Sequence, residues 1–191
     1  KLNGTTFKYL HNDIDSLKKN LERAEKVIQK TNGSILVITE GVFGMAGDLG
    51  KLKEICELKK KFSFRLFVDD AHGIGTMGEN GRGTGEYFGV QDEIDIYFGT
   101  FAKSFSSIGA FISSTKTVID FLKYTTRSQI FAKSLPMPIV IGALKRLDMI
   151  RNKPELKNNL WHITKLLQSG LKSQGFDLGK TESCVMIFIS L

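Results

Sequence analysis

A chain of 191 residues with 41% hydrophobic and 25% charged residues and a mean hydropathy of −0.08 can bury a core, which excludes disordered and collagen-like classes. Its 27 Lys and Arg against 20 Asp and Glu give a formal charge of +7, but the lysines are scattered along helical segments rather than interleaved with aromatics, so the surplus reads as a solvated basic surface and not a nucleic-acid interface. No apolar run approaches the ~20 residues that cross a bilayer, no signal peptide is evident, and Cys56 and Cys184 lack the paired spacing of a disulfide framework or zinc site, so a reducing, cytoplasmic setting is expected.

Along the chain, Ile14, Leu17, Leu21, Ala24 and Ile28 recur at three- and four-residue spacing, predicting an amphipathic helix over Asp13 to Lys30 capped by Asn12 or Asp13. Ser34 to Glu40 is a β-branched run, Leu49 to Phe62 carries a second helical stripe, and Phe64 to Asp70 is another run of the first kind. That alternation is βαβ. Further strands are expected at Ile94 to Gly99 and Ala110 to Ser113, and a helix at Thr117 to Arg127. Two successive helical patterns run from Ile141 to Ile150 and from Leu156 to Leu171, interrupted near Asn152 and Pro154. A last strand-like run, Cys184 to Ile189, has nothing after it to cover its edge, so a piece of a longer protein is expected.

The residues that carry chemistry fall between Val68 and Gly109. In a parallel α/β sheet, ligands bind beyond the carboxyl ends of the strands. Asp69, Asp70 and His72 close one strand, while Thr100, Lys103 and Ser104 follow another. Three readings compete. Gly73 to Gly78 matches the dinucleotide pattern G-x-G-x-x-G, yet Glu79, Asn80, Gly81, Gly83 and Gly85 continue the loop where that pattern requires a helix. The glycines could simply supply positive φ in a surface loop. The third reading sets Asp69, His72, Thr100 and Lys103 around pyridoxal phosphate. A lysine amine condenses with the aldehyde, which requires a neutral amine. A carboxylate facing the pyridine nitrogen keeps the ring protonated and able to accept electrons. A threonine hydroxyl three residues before the lysine suits a phosphate oxygen.

The stretch VDDAHGIGTMGENGRGTGEYFGV, followed by DIYFGTFAKSFSSIGAFI, resembles the core of the α-oxoamine synthases, the fold-type I pyridoxal-phosphate enzymes that condense an amino acid with an acyl-CoA. LHNDIDSLKKNL, TEGVFGMAGDLGKL and FAKSLPMPIV extend the similarity from Tyr9 to the end, and Asp69 and Lys103 are 34 residues apart, as the pattern requires. Within the family the wording is most like the bacterial serine palmitoyltransferase branch, with 8-amino-7-oxononanoate synthase and 2-amino-3-ketobutyrate CoA ligase as the alternatives. A catalytically incomplete homologue serving as a dimer partner is a further alternative.

The resemblance implies an α/β fold, the central part of a large domain with a mostly parallel sheet flanked by helices, and the start of a small C-terminal domain. Residues 1–135 would belong to the cofactor domain, 136–172 to interdomain helices and 173–191 to the small domain. Lys103 would hold the cofactor and take the substrate's α-proton. Asp69 would pair with the pyridine nitrogen, His72 with the phenolic oxygen, Thr100 with the phosphate, and Ser134 with a phosphate across a homodimer interface. L-serine and palmitoyl-CoA are the expected substrates, with no metal. Gly44 stands where many relatives carry Ser, and Lys133 where some carry Thr, so a hydroxyl contact at 44 is absent.

Overall fold

The computed structural model describes residues 4–184. Helix α1 (Ile14–Thr31) opens where the Asp13 side chain accepts a hydrogen bond from the Ser16 amide at 2.8 Å. It closes at Asn32, whose left-handed backbone (φ 52°) returns its N–H to Ile28. Of the two cap candidates, Asp13 is the one used. Leu17, Leu21 and Ala24 form the buried stripe.

Four strands follow, β1 (Leu36–Glu40), β2 (Arg65–Asp69), β3 (Ile96–Thr100) and β4 (Ala110–Ser114). They lie in chain order, with β1–β2 and β2–β3 parallel and β3–β4 antiparallel. The parallel crossovers contain α2 (Leu52–Leu58) and α3 (Thr84–Phe88). Right-handed crossovers laid down in one direction put their helices on one face of the sheet. The core lies on that face, where Leu17, Leu21, Leu52, Ile55 and Cys56 meet Val37, Leu66 and Val68. Strand alternation sends the intervening residues to the opposite face, where Leu36 is 51% and Ile38 56% exposed. Asp69, in phase with Arg65 and Phe67, belongs to this second face.

Helix α3 corrects the expectation of an unbroken glycine loop, because Gly85 lies inside it and is buried. Five residues with so few apolar side chains show no helical stripe. Tertiary contacts hold the segment instead, through bonds from Thr84 to Asp70. After β4 come α4 (Lys116–Thr125), α5 (Arg127–Ile130), α6 (Met137–Asn152) and α7 (Pro154–Ser173). Pro154 starts α7, where a missing N–H costs nothing. Trp161 of α7 packs against Val42, Leu49 and Met77, and its Nε1 donates to the Thr76 carbonyl at 2.9 Å. Lys157 donates to the carbonyls of Gly78 and Glu79. Helix α7 therefore braces the loop that follows β2. The strand expected over Cys184 to Ile189 lies, beyond Cys184, outside the described residues. Among the described residues no helix is long and apolar enough to cross a membrane.

Candidate active site

Strands β2 and β3 end side by side. Asp69 is in register with Phe98, and the Asp70 amide donates to the Phe98 carbonyl at 2.9 Å. The Asp69 carboxylate, half-buried, accepts the Ala71 N–H at 3.1 Å. It lines a cleft of about 280 Å³ with Tyr9, Ile38, Glu40, Phe43 and Phe67. Aromatic and aliphatic walls with a few polar groups suit a small planar ligand. Glu40, the register partner of Asp69 on β1, accepts the Gly44 N–H at 3.3 Å. Sequence reasoning passed over Glu40. Its only signal is an acid at the carboxyl end of an apolar strand.

His72 follows Asp69 by three residues. Its Nδ1 is buried and has no hydrogen-bond partner among the described residues. Burial lowers its pKa, the charge of Lys103 lowers it further, and Asp69 acts in the opposite direction. The amine and the carboxylate are thus both within electrostatic reach of one imidazole, whose neutral form is favoured. A Cβ on residue 44 would stand 2.5 Å from His72 Nε2. Gly44 is what lets the ring lie against the backbone there, and a serine would have to displace it.

Lys103 is exposed on the loop after β3, and its amine makes no hydrogen bond or salt bridge among the described residues. The loop is held by its own backbone. The Ser106 N–H donates to the Lys103 carbonyl at 2.8 Å and the Ser107 N–H to that of Phe101 at 2.7 Å. Thr100 fastens the base of the same turn, accepting the Ala102 N–H and donating to the Gly109 carbonyl, both at 3.1 Å. Its one hydroxyl hydrogen is therefore committed within the loop. Ser134 is exposed on the segment between α5 and α6. Its neighbour Leu135 lies 3.1 Å from where a Cβ would stand at Gly109, but the structure does not join Ser134 itself to Asp69, His72 or Lys103.

Asp70 has a different task. It is wholly buried and accepts three hydrogen bonds of 2.8 Å, from the Thr84 amide, the Thr84 hydroxyl and the Tyr97 hydroxyl. Gly41, Gly73 and Gly83 surround the carboxylate so closely that a Cβ on any of them would stand 2.0–2.1 Å from one of its oxygens. Burial raises its pKa above the usual carboxylate range, against the pull of those donors. Part of the glycine richness thus serves an internal anchor. No group of three His, Cys, Asp or Glu able to hold a metal ion occurs among the described residues.

A family profile described as "Aminotransferase class I and II" matches residues 1–191. A cysteate-C-fatty acyltransferase of Capnocytophaga ochracea is 60% identical over 182 residues, which span 95% of this chain and 43% of that protein. A serine palmitoyltransferase of Sphingobacterium spiritivorum is 40% identical over 183 residues, spanning 95% and 45%. A solved serine palmitoyltransferase from S. paucimobilis with a bound PLP–myriocin aldimine matches with a TM-score of 0.86 at 34% identity, over 96% of this chain and 46% of that one. The chain spans less than half the length of these relatives.

Proposed function

The chain belongs to the aminotransferase class I and II family, and from that membership we propose that it is part of a pyridoxal 5′-phosphate enzyme joining an amino acid to a fatty acyl thioester, with loss of carbon dioxide. One observation carries this reading. Lys103, with its free amine, lies on the loop just beyond β3, and the Asp69 carboxylate ends the adjacent parallel strand β2 beside the aromatic-walled cleft. The residues fit the cofactor, because the unpaired amine of Lys103 and the aromatic-walled cleft beside Asp69 each offer what a polar planar ring would use.

Bound there, pyridoxal phosphate supplies an aldehyde that takes up amines and a pyridine ring that draws electron density from the substrate's α-carbon. Asp69 accepts the ring N–H and so keeps the pyridine protonated. Lys103 anchors the cofactor and then moves the proton at the substrate's α-carbon. His72, whose neutral form burial and Lys103 favour, is free to exchange a hydrogen bond with the cofactor's phenolic oxygen. Thr100 reaches a phosphate only by turning its hydroxyl hydrogen away from the Gly109 carbonyl. Ser134 contributes from the surface, towards the partner in a homodimer. Residues 1–135 belong to the cofactor domain, 136–172 to the interdomain helices and 173–191 to the start of the small domain.

For the amino acid, the 60% identity to a cysteate-C-fatty acyltransferase favours cysteate. Serine, expected from the sequence, is the second reading, supported by the 40% identity to a serine palmitoyltransferase. The test uses the full-length protein with pyridoxal phosphate, offered cysteate, serine, glycine or alanine and acyl-CoAs of several lengths. Turnover with cysteate above that with serine is expected, and the reverse order installs serine. Lys103→Ala should abolish covalent cofactor attachment and lower turnover by about 10²–10⁴-fold. Attachment that survives in that variant overturns the assignment.

A further inference from the structure

Lys103 and His72 sit on different loops, and the β2–β3 ladder does not extend to either of them. Its last rung is the bond from the Asp70 amide to the Phe98 carbonyl. Beyond that point a side-chain bond joins the two loops. Ser104, the residue after Lys103, donates from Oγ to the Ile74 carbonyl at 2.7 Å, and Ile74 is two residues after His72.

Both ends of this bond are prepared. On one side, the turn closed by the Ser106 N–H and the Lys103 carbonyl presents Ser104 inwards, and the next residue, Phe105, is only 3% exposed, its ring 5.3 Å from that of Phe101. On the other side, Gly75 has φ +80°, and a Cβ there would stand 2.6 Å from both Cβ and Oγ of Ser104. Such a contact is sterically closed to any side chain, so the missing Cβ is what admits the serine. The far flank of the His72 loop is braced by Trp161 at the Thr76 carbonyl. One loop is fixed, and the other is clasped to it beside the reactive amine.

From this geometry we infer that Ser104 is a positioning residue, whose hydroxyl sets the placement of the Lys103 amine against His72 by clasping their loops together. The inference rests on the reading of Lys103 as the cofactor-bearing lysine. Ser104 acts through its bond to the Ile74 carbonyl and not on the reacting atoms. A misplacement of about 1 Å at such a site is enough to cost rate without loss of binding.

The test uses full-length protein, stripped of pyridoxal phosphate and then reloaded. Attachment to Lys103 is followed by visible absorbance and by the mass gained after borohydride reduction. Ser104→Ala should slow attachment by about 5–10-fold and lower kcat by about 10-fold, with KM within about twofold of wild type. Ser104→Thr, which keeps the donor, should return attachment to within about twofold. If Ser104→Ala does not fold, Ser104→Cys, a weaker donor, should slow attachment in the same direction. Attachment and kcat left unchanged by Ser104→Ala despite a lowered Tm, or Ser104→Thr as slow as Ser104→Ala, would reduce the bond to a structural one and overturn the proposal. Wild-type protein that never attaches the cofactor overturns instead the reading of Lys103.

Discussion

Replacing Asp70 separates two roles that a buried acid can have. In Asp70→Ala the Thr84 amide loses its acceptor outright, the Thr84 hydroxyl must rotate to find another, and the Tyr97 hydroxyl keeps only the Arg82 carbonyl at 3.3 Å. A buried donor left without an acceptor costs about 1–3 kcal/mol. With the void left between Gly41, Gly73 and Gly83, the total is about 3–5 kcal/mol, a large share of a domain's ordinary stability. Asp70→Asn should behave differently. With its oxygen in place of Oδ2 it still accepts from Thr84 and Tyr97, and its amide nitrogen donates to a rotated Thr84 hydroxyl. The expected cost is within about 1 kcal/mol.

The pH dependence provides an independent sign. Burial raises the folded-state pKa of Asp70 above its ordinary value of 3.8, so the associated stability is fully present below 3.8 and lost as pH rises through the folded value. Wild type should therefore gain on Asp70→Asn as the pH falls towards 4. Urea unfolding of the full-length protein, followed by near-UV circular dichroism from pH 8 to 4, reads both effects. An Asp70→Ala protein as stable as wild type would refute the anchor role. A gap that moves in favour of Asp70→Asn on acidification would refute the electrostatic account.

Three other outcomes follow from single residues. His72, with a pKa held below its ordinary 6.5 by burial and then by Lys103, contributes stability that is present above pH 6.5 and lost as pH falls through the folded value. The Tm of His72→Asn should therefore fall less between pH 7.5 and 5.5 than that of wild type, and an equal slope would count against a titrating His72. Burial pushes the Cys56 thiol up to about 11, so native protein at pH 8 should resist alkylation at Cys56, while urea-unfolded protein reacts promptly. Equal rates would contradict the burial. Gly75→Ala, at φ +80° and against Ser104, should cost at least about 2 kcal/mol, measured as a lowered urea midpoint, and an unchanged midpoint would show that the two loops part without strain.

The strands and long helices were legible because their signals are local. Short apolar runs between the helical patterns set β1, β2 and β3 to within two residues of the expected ends, and the Leu17–Leu21–Ala24 spacing set α1. Helix α3 was not legible, since its first residue, Thr84, is held by Asp70 from fourteen residues away in the chain rather than by any apolar period. Glu40 escaped assignment, and Gly44 was noted only for a missing hydroxyl, for the same kind of reason. One enters the cleft through its register with Asp69, the other through its contact with the His72 ring, and neither relation exists until the sheet is assembled.

The pair Asp69–Asp70 shows how little sequence distance is needed to separate chemistry from architecture. Both stand at the end of the same apolar strand, and composition cannot rank them. The sheet does, because side chains alternate along a strand and helices cover one face only. Val68 and Asp70 point to the covered face, where a carboxylate must be fully satisfied and is, by three donors in a glycine cradle. Asp69 points to the other face, keeps one backbone hydrogen bond, and shares an electrostatic field with His72 and Lys103. A one-residue shift of register would exchange the two roles and leave a reactive acid buried among glycines. The ladder from Leu36–Arg65 to Glu40–Asp69, and the hydrophobic core behind it, are thus what select the acid that faces the cleft.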